Sequence, residues 1–97
     1  MNNYYSTYVR HCLKFYARYP TPIFNSKADK KNWLACERVF KQFSDKEQEM
    51  LIKVYREGDT LADNVYQVSK EKDIKQSKIW KMMERLERNV AKCRGLL

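Results

Sequence analysis

Ninety-seven residues make one small domain, which hides only about 60 to 65% of the surface its unfolded chain exposes. Twenty Lys and Arg against twelve Asp and Glu give a formal charge of +8, a balance that leans towards a polyanionic partner. The three cysteines, Cys12, Cys36 and Cys93, are odd in number and widely spaced, which speaks against a disulfide framework or a metal knuckle.

The amino-terminal stretch MNNYYSTYVR lacks a basic start followed by an apolar run, and no apolar window approaches the roughly 18 residues of a membrane span. Neither secretion nor membrane insertion is expected. From Tyr4 to Tyr19 the positions Tyr5, Tyr8, Val9, Cys12, Phe15, Tyr16 and Tyr19 recur at steps of three and four, the period of an amphipathic helix. Pro20 and Pro22 then end it. Ser26 with Asp29 has capping-box spacing before a second helical stripe, Trp33, Cys36, Phe40 and Phe43. Ser44 and Glu47 repeat the box before Met50, Leu51, Val54 and Tyr55, predicting a third helix over about Asp45 to Glu57 with Gly58 as its left-handed cap. Thr60 and Asp63 open a fourth helix through Leu61, Val65 and Val68. Ile79, Met82, Met83, Leu86, Val90 and Cys93 give a fifth one apolar face. With no strand-like alternation, the expected fold is all-α with about five helices. It is read as a single domain over 1–97, with a two-helix extension (1–42) before a three-helix unit (43–97).

Charge is spread unevenly. Residues 43–69 carry three basic and six acidic side chains, whereas residues 70–97 carry nine basic and four acidic ones. Three short, capped helices, the last electropositive, are what a helix-turn-helix needs: two form the scaffold and the third presents its early turns to a major groove. Arg10, Lys14 and Arg18, spaced by four, form another basic row on helix one that reads as a solvated face.

The segment FSDKEQEMLIKVYREGDTLADNV resembles the start of region four of the sigma-70 family, and IKQSKIWKMMERL resembles its recognition helix. The resemblance spans about residues 43–94. It implies a sequence-specific regulator of transcription that binds double-stranded DNA through a helix over about residues 75–93. The size suits a stand-alone regulator of phage or mobile-element type, with RNA polymerase or a second copy of the chain as further partners. The chain departs from the family pattern in three places. Asn64 and Val65 stand where an apolar residue and alanine are usual; the turn VSKEKDI is about four residues longer and has no glycine; Lys75 replaces a capping Ser or Thr. About four residues are one helical turn, so helix four either runs one turn longer or gives way to a loop. Asp73, with Gln76 three positions on, is available as an alternative cap.

If Ile79, Met82, Met83, Leu86 and Val90 point inward, the 3.6-residue period turns Gln76, Ser77, Trp80, Lys81 and Glu84 outward. Gln76, Ser77, Trp80 and Lys81 match the base-contacting positions of the family. Gln pairs bidentately with adenine, Lys reaches guanine acceptors and Ser serves either role. Trp80 suits a thymine methyl or a sugar edge, yet a large aromatic beside Ile79 is more often packed at a helix seam. Lys75, Lys78, Arg85 and Arg88 flank the strip and suit phosphates, which set register without reading sequence. Glu84 and Glu87 interrupt the positive face, at spacings that allow them to orient Lys81 or Arg88.

Other chemistry finds little footing. His11 is the lone histidine, with no partner at ligand spacing, and reads as structural. No glycine-rich phosphate loop, catalytic triad or metal set is present, so neither an enzyme nor a small-molecule or cofactor site is expected. Met82 and Met83 read as core filling, and the cysteines as reduced core thiols of a cytoplasmic protein. The alternative to DNA binding is a helical interaction module. It would dimerise or dock through the tyrosine-rich first helix; four of the seven tyrosines fall in the first sixteen residues of the chain.

Overall fold

The computed structural model describes residues 4–97; Met1, Asn2 and Asn3, part of the stretch read against a leader, lie outside them. Five helices follow in order: α1 (Ser6–Arg18), α2 (Lys27–Phe40), α3 (Asp45–Arg56), α4 (Leu61–Lys72) and α5 (Gln76–Cys93). Among the described residues there is no strand, and no helix is long and apolar enough to cross a membrane. The all-α expectation holds.

The helix starts follow from local chemistry. Ser26 Oγ accepts from the Asp29 amide at 3.1 Å, and Thr60 Oγ1 accepts from the Asp63 amide at 3.2 Å. Each satisfies one of the four amides that a helix start leaves unpaired. Only α3 closes the full box, with Ser44 Oγ accepting from the Glu47 amide and Glu47 Oε1 accepting from the Ser44 amide. The end of α3 departs from expectation. The chain leaves through an extended Glu57 (ψ 151°), and Gly58 does not take positive φ. The left-handed glycine is Gly95 (φ 72°), which closes α5 so that the Leu96 amide returns to the Ala91 carbonyl at 2.8 Å.

One apolar cluster draws on all five helices, with Leu13, Tyr55, Leu51, Ile79 and Leu86 among its fully buried members. Each such side chain contributes about 1.5 to 3 kcal/mol by leaving water. α1 packs on α2 and α3, and α5 lies along α2 while touching α1, α3 and α4. The first two helices therefore share the core with the last three. Tyr16 stacks on Phe40 with ring centroids 5.0 Å apart, and Trp33 Nε1 donates to the Tyr19 carbonyl at 3.1 Å, pinning the start of the proline loop.

Two helices are rotated from their expected registers. In α1 the buried row is Val9, Cys12, Leu13 and Ala17, so that Tyr8 and Tyr19 stay exposed. In α5 the buried row is Ile79, Met83, Leu86, Glu87, Val90 and Ala91; Met82 is half-buried and Cys93 exposed. Cys93 is thus a surface thiol and not the core thiol expected. Cys12 and Cys36 are buried, and burial pushes both thiols above their ordinary value.

Candidate nucleic-acid interface

The turn that lacks glycine is made by an aspartate. α4 runs to Lys72, and Asp73 takes the left-handed conformation (φ 53°, ψ 51°) that glycine usually supplies. Its amide and the Ile74 amide both return to the Ser69 carbonyl, the latter at 3.1 Å. The extra residues therefore lengthen α4, and only Asp73, Ile74 and Lys75 separate it from α5. Because Asp73 is spent ending α4, it does not cap α5. The N-cap is Lys75, with no side-chain bond to the helix. A left-handed non-glycine residue carries backbone strain, less for Asp than for most. Asp73→Gly should raise stability by about 0.5 to 1 kcal/mol, read as a higher urea midpoint with unchanged slope.

Asn64, the residue out of pattern in the scaffold, clamps α3 to α4. Its Nδ2 donates to the carbonyls of Val54 at 2.8 Å and of Glu57 and Asp59 at 3.3 Å each. These include carbonyls at the end of α3, where helical partners run out. Val65 beside it is fully buried, so the two helices meet closely through a polar clasp.

The rotation of α5 splits the expected reading strip into two rows. Gln76, Trp80, Met83, Glu87 and Ala91, spaced by four and three, form one row that sinks into the core after its first turn. Gln76 is exposed, whereas Trp80 is half-buried against the core cluster and faces a crevice with Tyr5, Arg10 and Glu87. The second row, Ser77, Lys81, Glu84, Arg88 and Lys92, stays exposed along the whole helix, as do Lys75, Lys78 and Arg85 beside it. Lys75, Lys78 and Lys81 form no ion pair among the described residues. Arg88 pairs with Glu84 at 3.4 Å, one turn back, and Arg85 lies over the Phe43 ring at 4.3 Å. An exposed pair of that kind is worth only about 0.3 to 0.5 kcal/mol and releases its arginine readily.

Glu87 is not part of this face. It is 4% exposed, and its Oε2 accepts from Tyr55 Oη at 2.6 Å and from Arg10 Nε at 2.9 Å. The site therefore contains one interrupting acid, Glu84, where two were expected. Burial first, and the facing Glu87 carboxylate second, hold the Tyr55 hydroxyl well above its ordinary value of 10.0. Arg10 is drawn into this knot, whereas Arg18 stays exposed and its Nε donates to the Arg56 carbonyl at 3.2 Å.

A hollow of about 770 Å³ opens between the start of α3, the end of α4 and the first turns of α5. Met50, Ile74 and Met82 are its apolar lining, and Lys46, Lys72, Lys78 and Lys81 border it together with Glu47 and Glu49. Sequence periodicity hinted at the apolar members but not at their convergence, which depends on the turn at Asp73. No group of three or more His, Cys, Asp or Glu able to hold a metal occurs among the described residues.

Fold and surface together define a five-helix protein whose longest helix presents a cationic outer row beside a polar first turn. Comparison with family models, with curated proteins and with solved structures gave no match.

Proposed function

We propose that this protein is a sequence-specific, double-stranded DNA-binding regulator of transcription, of the sigma region-four type and acting in the cytoplasm, in which α5 enters the major groove. The observation that carries this is the outer face of α5's first turns. Lys75, Lys78 and Lys81 are exposed and unpaired beside Gln76 and Ser77, on a helix whose opposite face is fully buried. A long helix anchored along one side with its cations left in solvent suits a groove about 12 Å wide, with lysines placed for phosphates or guanine and Gln76 for adenine. Ser77 and Lys81, the first two members of the exposed row, are the main base readers. Gln76 reads from the edge, and Trp80 contributes through its open side only. Lys75, Lys78, Arg85 and Arg88 take phosphates. RNA polymerase and a second copy of the chain are the protein partners this mode of action allows. A role in protein docking through α1 draws on Tyr4, Tyr8 and Tyr19, which are exposed, whereas Tyr5 is buried and Tyr16 is stacked on Phe40.

The test is selection of duplexes from a random pool, followed by titration of the selected and random sequences across salt. Lys81→Ala and Gln76→Ala should each lower affinity for the selected duplex by about 10-fold or more and narrow its margin over random DNA. Binding that ignores salt, or that survives both substitutions intact, would falsify the proposal.

A further inference from the structure

Basic charge is not confined to α5. Residues 1–42 hold eight basic side chains (Arg10, Lys14, Arg18, Lys27, Lys30, Lys31, Arg38, Lys41) and two acidic ones, Asp29 and Glu37, a net charge of +6 against +5 for residues 70–97. On α2 the spacing is regular. Lys27, Lys31, Leu34, Arg38 and Lys41 recur at steps of four and three, and all are exposed. The row spans about 21 Å, the axial length of about six base pairs.

Its placement matters more than its charge. α2 and α5 lie side by side and antiparallel: Arg85 of α5 sits over Phe43, just past the end of α2, whereas Arg94 Nε donates to Asn32 Oδ1 at 2.6 Å near the start of α2. Lys31, Leu34 and Arg38 share a shallow groove with Cys93 and Arg94. The α2 row therefore borders the C-terminal half of α5, where Arg85, Arg88 and Lys92 are exposed. The acids divide in the opposite sense. Glu49 and Glu71 neutralise Lys72 and Lys53 across α3 and α4, at 3.1 and 3.2 Å, whereas no cation of the α2 row is ion-paired among the described residues. Both acids on α2 are half-buried, and Glu37 adds to the burial that chiefly pushes the Tyr16 hydroxyl up. Repulsion among unpaired lysines on one face is relieved when counterions or phosphates gather there.

We infer that the α2 row is a second phosphate-binding surface, which engages the backbone of the same duplex beyond the segment read by α5. The inference rests on the DNA-binding function proposed above and adds to it an extended footprint with no base reading of its own. Each neutralised phosphate adds about 0.9 to the slope of log affinity against log salt.

The experiment compares the full chain with a variant carrying Lys27→Gln, Lys31→Gln, Arg38→Gln and Lys41→Gln, all at exposed positions and checked for unchanged helicity. Both are titrated with a long selected duplex and with one of about 10 base pairs, roughly a single helical turn. On the long duplex the variant's salt slope should be shallower by about 3 to 4, with the selected base preference unchanged; on the short duplex the two proteins should differ little. A wild-type slope retained by the variant on the long duplex overturns the second surface and leaves α5 as sole reader. Altered base preference overturns it too, as does a loss confined to structured RNA. If the unmodified chain binds no duplex at all, the second surface and the DNA-binding function fall together.

Discussion

Replacing Glu87 by alanine should lower the unfolding free energy by about 2 to 4 kcal/mol, a large share of the stability of a domain this size. The carboxylate is buried and joins three helices, accepting from Tyr55 of α3 and Arg10 of α1 while its own backbone belongs to α5. Its removal strands a fully buried hydroxyl without an acceptor; Arg10, being partly exposed, recovers water and softens the loss. Glu87→Gln keeps an acceptor for Tyr55 and should cost about half as much. Urea titrations of Glu87→Ala, Tyr55→Phe and the double variant give the coupling directly, and strict additivity would show that the knot contributes nothing as a unit.

The same knot sets an alkaline limit. Tyr55 has a folded pKa above its ordinary 10.0, so the unfolded chain loses that proton first. The stability it confers is complete below pH 10 and is lost as pH climbs towards the raised folded value, by about 1.4 kcal/mol per unit. The buried thiols of Cys12 and Cys36 add a similar loss that begins near their ordinary 9.0. Tyr55→Phe should flatten only the part above pH 10.

Asn64→Asp should be the most damaging single-atom change in the scaffold, costing about 3 kcal/mol or more at neutral pH. The amide nitrogen faces three carbonyl oxygens, and a carboxylate there offers oxygen to oxygen. Repulsion raises the folded pKa of the new acid above its unfolded value of about 3.9. The variant should thus approach wild-type stability below about pH 4 and diverge from it as pH rises through the folded pKa. Asn64→Ala, which removes the donor without adding charge, should lose about 2 kcal/mol with no such pH dependence. A flat difference between Asn64→Asp and wild type across pH would mean that the clasp does not face the carbonyls.

Three of the five helix starts were plain in the sequence because capping is local. Ser26, Ser44 and Thr60 each sit three residues before the amide they receive, and all three bonds form. The all-helical class followed from the same signals with apolar periodicity. What could not be read was whatever depends on a distant partner. Glu87 looks like a surface acid until Arg10 and Tyr55, 77 and 32 positions away, are brought to it. With Glu87 buried, Cys93 lies on the exposed side of α5. Gly58 offered a left-handed cap that α3 does not use, since Asn64 takes up its carbonyls from across the turn. The α2 row is periodic charge in the sequence, and only the antiparallel packing of the two helices makes it a neighbour of the C-terminal half of α5.

The unaided start of α5 has a consequence for motion. The C-terminal half of the helix is held by the Glu87 knot, by Arg94 on Asn32 and by Arg85 on Phe43, whereas its first turn begins at Lys75 with no side-chain cap. Amide hydrogen exchange along α5 should be graded accordingly. Protons from Leu86 to Ala91 should wait for global unfolding, and those at Gln76 and Ser77 should exchange through local fraying at far lower cost. The residues proposed to meet the bases thus sit at the loose tip of a clamped rod, free to adjust their fit without disturbing the core behind them.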